Sequence, residues 1–182
     1  MRAKATVGFA GCVCVMVAAS LLLGGQLPGY GVGRTPTPEE IDSLDVIVGP
    51  EGKELPSGEG TAMAGREVFS LRCAECHGNE GQGADKADPL VGGQETLASA
   101  KPLKTVGSYW PYATTVWDYV NRAMPFDRPG TLTDDQVYAV VAYLLYLNGI
   151  IGEEEVINAA TLPEVKMPNR DGFVADPRPD LE

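Results

Sequence analysis

The five residues Cys73-Ala74-Glu75-Cys76-His77 constrain this 182-residue chain more than any other stretch. Two thiols three positions apart can each add to a vinyl group of one porphyrin and form two thioether bonds. The imidazole of the next residue then lies under the iron as an axial ligand. This C-x-x-C-H spacing is the attachment signature of c-type haem. The sequence therefore predicts one covalently bound haem c, attached to Cys73 and Cys76, with His77 as a ligand of its iron.

Residue counts exclude the main alternatives at this motif. His77 is the only histidine of the chain, which excludes bis-histidine ligation and a histidine-dependent catalytic triad elsewhere. A four-ligand zinc site needs two further Cys or His residues, and the remaining cysteines, Cys12 and Cys14, lie in an apolar leader. A thioredoxin-like redox pair would sit near a βαβ pattern, which the sequence lacks. Because C-x-x-C-H occurs once, we expect a monohaem protein.

Residues 1–34 predict a targeting segment that does not belong to the fold. Residues 1–4 are basic, and residues 5–23 are apolar without a charge. Cleavage after Ala19 would make this segment a secretory signal peptide. Read through to Leu23, the apolar run of 19 residues is long enough to be an uncleaved membrane anchor. In both cases we expect the folded part to be periplasmic, and tethered to the inner membrane only if the anchor is kept.

The charge of the chain excludes two classes of partner. The formal net charge is −11, and it becomes −14 without residues 1–34, which carry three basic residues and no acidic one. A strongly acidic exported protein does not seek nucleic acid or anionic lipid. We expect either steering towards partners with a basic patch, weakened by salt, or a charge that serves solubility alone.

Composition divides the remaining chain into three regions. Residues 35–60 are rich in Pro, Gly and Glu and predict a linker or surface arm, with a short extended element at residues 41–48. Residues 61–149 predict a single haem-binding domain. Residues 150–182 lack periodicity, and such a tail packs on its own domain, wraps a partner or is disordered. Because it keeps apolar residues such as Val165 and Phe173, we expect a C-terminal docking tail rather than plain disorder.

Three helices are predicted within the haem-binding domain. Apolar residues recur at helical spacing in each. A threonine cap marks the start of the first helix. A proline in the first turn marks the start of the second helix, and a capping box marks the start of the third. A Met-Pro pair ends the second helix, because the residue before proline avoids helical geometry. The predicted ranges are 61–72, 110–124 and 133–148.

This order of elements resembles the class I cytochromes c: a helix into C-x-x-C-H, a loop rich in Gly and Pro, a helix ending in Met, and a closing helix with aromatic residues. The resemblance covers about residues 61–149. It implies an all-α fold, with few helices around one covalent haem and with extended N- and C-terminal segments. It also implies that the first and last helices cross where Gly65 and Phe69 meet Tyr143.

The resemblance implies a methionine as the second axial ligand of the iron. Met124 lies between the motif and the last helix, where the family places this ligand, whereas Met167 lies beyond that helix. Ordinary apolar packing is the alternative for each. A thioether opposite histidine raises the reduction potential and leaves no open coordination position.

Three further residues are expected around the haem. Pro89 resembles the loop proline whose carbonyl oxygen accepts the Nδ1 proton of the ligand histidine in this family, with a simple turn proline as the alternative. Tyr109 and Trp110 lie in the aromatic segment before Met124. They could line the pocket or hydrogen-bond the propionates, because buried Tyr and Trp need partners for their polar ends; core packing is the alternative.

A longer resemblance starts at Ser108. The segment SYWPYATTVWDYVNRAMPF (108–126), with KMPNRDGF (166–173) and DPRPD (176–180), is similar to the cytochrome subunits that partner molybdenum sulfite-oxidase-type enzymes. These include sulfite dehydrogenase cytochromes and the sulfur dehydrogenase cytochromes of thiosulfate oxidation, which typically carry a second haem domain that is not found in this sequence.

This second resemblance implies a role in electron transfer rather than an enzyme active on its own. The cytochrome would accept single electrons from a molybdenum sulfite/sulfur dehydrogenase subunit and pass them to an acceptor cytochrome or an oxidase. The alternative is a general electron shuttle between a quinol-oxidising complex and a terminal oxidase.

Overall fold

The computed structural model describes residues 32–45 and 47–177. The chain divides into two units, the first ending at Leu44 and the second beginning at Asp45. The predicted signal peptide or anchor therefore lies outside the described residues except for its last three positions. Among the helices that the structure describes, none combines the length and the apolar character needed to cross a bilayer.

The first unit has one described helix, α1 (Pro38–Leu44). The Glu40 amide donates to Thr37 Oγ1 at 3.3 Å, and the Thr37 amide donates to the Glu40 carboxylate at 2.9 Å. This reciprocal cap, with proline at the first helical position, favours the start of a helix from local residues. The extended element predicted for residues 41–48 is therefore wrong over 41–44, because the capping signal overrides the weak alternating pattern.

The second unit, from Asp45, combines helices with one small sheet. Strands β1 and β2 form a two-stranded antiparallel ladder in which Gly60 lies opposite Ile157. This ladder is not part of the all-α prediction. The described elements are β1 (Glu59–Gly60), α2 (Ala62–Arg72), α3 (Ala74–His77), α4 (Ala113–Ala123), α5 (Asp134–Leu147), β2 (Ile157–Asn158) and a 3₁₀ turn (Leu162–Glu164).

Side-chain caps set the starts of two of these helices, as predicted. Thr61 Oγ1 accepts a hydrogen bond from the third residue of α2 at 3.3 Å. At α5 the capping box is complete, because Thr133 Oγ1 accepts from the Gln136 amide at 3.3 Å while Gln136 Oε1 accepts from the Thr133 amide at 3.0 Å. Helix α4 begins later than predicted, at Ala113, and has no side-chain cap.

Helices α2 and α5 cross at a backbone-to-backbone contact. A Cβ added to Gly65 would lie 1.8 Å from the Ala139 carbonyl oxygen and 2.8 Å from Tyr143 Cβ. One turn later, the rings of Phe69 and Tyr143 meet edge to face, with centroids 5.4 Å apart. The predicted crossing is confirmed. This crossing fixes the direction of α2 and therefore the position of Cys73, which follows its last residue.

The packed core is larger than residues 61–149. Leu162 and Met167 pack in the same buried cluster as α4 and α5, so part of the predicted docking tail belongs to the core. Apolar side chains without periodicity carry no signal of this packing, because their partners lie far away in sequence. The buried apolar side chains outside the predicted limits are Val48, Ile157, Leu162, Val165 and Met167.

The arm before β1 is tied to α4 by a buried carboxylate. Asp118 accepts hydrogen bonds from the Val48 amide and from Arg122 Nε, both at 2.9 Å. Burial raises the pKa of Asp118, but the hydrogen bonds from Arg122 and Val48 outweigh it and hold that pKa below its usual value. The part of the arm around Val48 therefore belongs to the packed domain rather than to a free linker.

The Asp118 contacts predict a pH-dependent stability. Because the folded pKa is lowered, the carboxylate stabilises the domain above its unfolded pKa of about 3.9 and loses this effect as pH falls through the folded value. We expect Asp118→Asn to lower the free energy of unfolding by about 1–3 kcal/mol at neutral pH. Denaturant unfolding at several pH values should show the difference shrinking below about pH 4. A difference that does not change with pH would contradict this role.

The crossing predicts that α2 tolerates no side chain at Gly65. We expect Gly65→Ala to cost about 3 kcal/mol or more, since the added carbon meets backbone atoms that cannot rotate away. Gly152→Ala is the matched control, because a Cβ there meets nothing within 4 Å. Thermal unfolding of the two variants should differ sharply. Equal midpoints would show that the helices can separate at this point without cost.

Candidate functional site

One cleft of about 550 Å³ is lined by all four residues predicted to bind the haem or its iron. It lies between the end of α2, the single turn α3, the loop near Leu90, the end of α4 and one face of α5. Cys73, Cys76 and His77 line it together with Met124. The volume is in the usual range for a small-molecule or cofactor site. The mainly apolar walls include Leu90, Val120, Val140 and Leu144.

Helix α3 presents both thiols and the imidazole to the cleft. The amides of Cys76 and His77 donate to the Cys73 carbonyl oxygen at 3.1 and 3.0 Å. This helical turn places Cys73 and Cys76 on the same face, because residues three apart are neighbours on a helix. Gly78 then leaves the helix with φ 77°, a conformation that favours glycine. Both cysteines are free thiols and partly buried.

The environment of Cys73 disfavours a catalytic thiolate. Burial raises the pKa of the Cys73 thiol to about 11, the charge of Cys76 adds to the shift, and Arg72 opposes it. A reactive cysteine needs a lowered pKa. The raised pKa of Cys73 favours the protonated thiol over the thiolate and does not support a role as a redox or hydrolytic nucleophile.

The structure separates the two candidate methionines. Met124 caps the end of α4, where its amide donates to the Val120 carbonyl oxygen at 3.1 Å, and its side chain lines the cleft. Met167 is 3% exposed and belongs to the core, not to the cleft wall. Of the two, Met124 can supply a thioether to a ligand held by α3.

The described contact of the imidazole differs by one residue from the predicted one. His77 Nδ1 lies 3.5 Å from the carbonyl oxygen of Asp88, whereas the sequence predicts the carbonyl of Pro89. The Pro89 ring instead packs against Gly83, where a Cβ would lie 2.9 Å from Pro89 Cδ. A backbone acceptor of this kind cannot be assigned from residue types, since every residue carries the same carbonyl group.

Neither predicted aromatic residue lines the cleft. The Trp110 ring packs edge to face on Tyr119, with centroids 5.7 Å apart. Tyr109 instead contacts the C-terminal segment: its ring meets Phe173 at 5.3 Å, and its carbonyl oxygen accepts from Asn169 Nδ2 at 2.8 Å. The prediction of haem contacts for Tyr109 and Trp110 is not supported by this geometry.

The cleft mouth carries charges of both signs, which the sequence did not single out. Lys86 pairs with Glu75, and Arg128 Nε lies 3.2 Å from Asp127 Oδ2. Beside them, Phe126 is 86% exposed. These residues come from separate segments, so only the fold reveals that they share one rim. The net negative charge of the chain is therefore not concentrated at this mouth.

The donor set fits the group that C-x-x-C-H predicts. Two free thiols on one helical face could hold a porphyrin covalently, and an imidazole and a thioether could ligate its iron. Apolar walls suit a macrocycle whose metal must be shielded from water. Bound in this cleft, haem c would supply one-electron transfer.

Comparisons with known proteins agree with this site. Residues 62–148 match the family "Cytochrome c". Cytochrome c of Tetrahymena pyriformis is 38% identical over 69 residues, which are 34% of this chain and 62% of that protein. The CcoP subunit of the cbb3-type cytochrome c oxidase of Azospirillum sp. (strain B510) is 38% identical over 100 residues, 50% of this chain and 32% of that subunit. The chain thus spans less than two thirds of each of these relatives.

A solved structure matches over a longer range. A chain in the crystal structure of the sulfane dehydrogenase SoxCD from Paracoccus pantotrophus is 42% identical, with a TM-score of 0.74. The match covers 85% of this chain and 76% of that chain. The cytochrome c family implies covalently bound haem c. The chain belongs to the cytochrome c family, as a class I cytochrome c related to the cytochromes of sulfur dehydrogenases.

Proposed function

We propose that this chain is a periplasmic monohaem cytochrome c that carries single electrons from a molybdenum-containing sulfite/sulfur dehydrogenase subunit to the respiratory chain. One observation carries the proposal: one cleft is lined by Cys73, Cys76, His77 and Met124. The chain that forms it is 42% identical in sequence to a chain of a sulfane dehydrogenase structure. Export rests on residues 1–34, whose sequence is typical of a signal peptide or an anchor.

Each cleft residue has a defined task in this proposal. Cys73 and Cys76 would hold the haem through thioether bonds, and His77 and Met124 would ligate its iron. With His77 and Met124 both supplied by the chain, a bound haem would have no open position for a substrate or a diatomic ligand. The chain is then an electron carrier and not an enzyme by itself.

The apolar cleft wall favours the reduced state of such a site. Leu90, Val120 and Leu144 line the cleft and would exclude water from the neighbourhood of a bound haem iron. Removing water disfavours the extra positive charge of the oxidised iron, and methionine ligation acts in the same direction. We therefore expect a reduction potential high enough to accept electrons from sulfur compounds through a dehydrogenase.

The range of the match favours a sulfur dehydrogenase partner. The family match ends at residue 148, whereas the match to the SoxCD chain covers 85% of this chain and so must extend into its terminal segments. These segments pack on the domain through Val48, Leu162 and Met167. A resemblance that includes the segments outside the haem-binding core is more specific than one confined to it.

The CcoP match favours a second candidate, a general shuttle. CcoP is named as a subunit of a cbb3-type cytochrome c oxidase, and it is similar over 100 residues of this chain. In that case the electrons would come from a quinol-oxidising complex and go to a terminal oxidase. The two candidates share the cleft chemistry and differ only in the donor.

Native protein purified from its source separates these two functions. We expect a molybdenum-containing subunit to copurify, and the haem absorbance to change to the reduced form when sulfite or thiosulfate is added. Protein that ascorbate reduces, that stays oxidised with either sulfur compound and that carries no molybdenum would overturn the dehydrogenase partnership. It would leave the shuttle as the function.

The two methionines predict a matched pair of variants. We expect Met124→Ala to lower the reduction potential and to let the reduced haem bind carbon monoxide, because the thioether ligand is lost. We expect Met167→Ala to cost about 2–5 kcal/mol of stability while the potential and the lack of carbon monoxide binding stay as in wild type. Redox titration, carbon monoxide difference spectra and denaturant unfolding measure these effects. Carbon monoxide binding by Met167→Ala alone would move the ligand assignment to Met167.

A further inference from the structure

The side chain of Asn148 joins α5 to the loop on the opposite wall of the cleft. Its Nδ2 donates to the carbonyl oxygens of Leu144 at 2.8 Å and Leu90 at 3.2 Å. Its Oδ1 accepts from the Gly92 amide at 3.1 Å. Asn148 is 9% exposed. Both protons and the oxygen of one buried amide are therefore used, and two of these three bonds hold the loop.

Further hydrogen bonds hold this loop in addition to those of the Asn148 side chain. The Val106 amide donates to the Leu90 carbonyl oxygen at 3.2 Å, and Gln94 Nε2 donates to the Asn148 backbone carbonyl oxygen at 3.2 Å. Gly107 leaves room for the Asn148 side chain, since a Cβ there would lie 2.2 Å from Oδ1. The loop can move only if several buried polar groups lose their partners, which is costly.

The loop reaches the iron-ligand candidate within two residues. Leu90 and Leu144, whose carbonyl groups Asn148 joins, both line the cleft. Asp88, which faces His77 Nδ1 at 3.5 Å, is separated from Leu90 only by Pro89. Proline has a fixed φ angle, so few torsions separate the anchor from the carbonyl at the imidazole.

We propose that Asn148 is a positioning residue for His77. It anchors residues 88–92 on the end of α5 and thereby holds the Asp88 carbonyl oxygen where it accepts the Nδ1 proton of His77. This inference rests on the proposed role of His77 as an iron ligand. A carbonyl acceptor at Nδ1 makes the imidazole a stronger donor, which favours the oxidised iron and lowers the reduction potential.

The test compares two asparagines in the haem-loaded protein. Asn148→Ala removes the anchor. Asn158→Ala is the matched control, because Asn158 Oδ1 accepts from the amides of Ala160 at 2.9 Å and Thr161 at 3.1 Å, in a turn that does not belong to the cleft. Redox titration gives the potential, amide exchange by NMR gives the mobility of Gly92, and denaturant unfolding gives the stability.

We expect Asn148→Ala to raise the reduction potential and to speed exchange of the Gly92 amide about fivefold, because a net hydrogen bond of about 1 kcal/mol is lost and about 1.4 kcal/mol corresponds to a factor of ten. Asn158→Ala should lose stability with an unshifted potential. An intermediate potential in Asn148→Ser, which keeps one hydroxyl, would support the graded effect of the anchor. An unshifted potential in both Asn148 variants, with stability lost as in Asn158→Ala, would reduce Asn148 to a structural residue and overturn the proposal.

The outcome remains decisive if the Asn148 variants do not fold. In the wild-type protein, a Gly92 amide that exchanges only on global unfolding supports the anchor, and one that exchanges freely in the native state contradicts it. Wild-type protein without covalent haem would overturn the proposed function and this role together. Covalent haem with an unshifted potential in the variants would overturn only the role of Asn148.

Discussion

The backbone contact between Gly65 on α2 and Ala139 on α5 determines where the cleft can form. Because no side chain separates the two helices there, the end of α2 is fixed relative to α5, and Cys73 follows immediately after α2. Helix α5 in turn supplies Leu144 to the cleft wall, and Asn148 caps its C-terminal end. The close approach of Gly65 to Ala139 thus positions both the C-x-x-C-H motif and the opposite wall of the cleft. A methyl group added at Gly65 would displace both.

Function in this fold depends on how similar side chains are placed. Met124 at the end of α4 faces the cleft, while Met167 is buried in the core, although both precede a proline. Charge follows the same principle. The chain has a formal net charge of −11, yet the mouth of the cleft carries paired charges of both signs beside an exposed phenylalanine. Contact at the mouth would therefore depend on apolar surface as well as on electrostatic steering.

Local signals in the sequence were sufficient for much of the fold and for the ligand candidates. The Thr61 cap, the Thr133 capping box and the crossing at Gly65 were predictable because each depends on a few neighbouring residues or on a recognised helix pair. The buried C-terminal segment, the acceptor at Asp88 and the contacts of Asn148 were not, since they depend on partners that only the folded chain brings together. Asn148 followed by glycine carries only the signal of a helix end.

The most direct test of the central claim is the mass of one peptide. Cleavage after Arg72 and Lys86 releases residues 73–86, which contain both cysteines and the histidine. In protein purified from its source, this peptide should carry the added mass of one haem that withstands denaturation, because thioether bonds do not dissociate. The same peptide at its unmodified mass, or with a disulfide between Cys73 and Cys76, would contradict the assignment of the cleft as a haem c site.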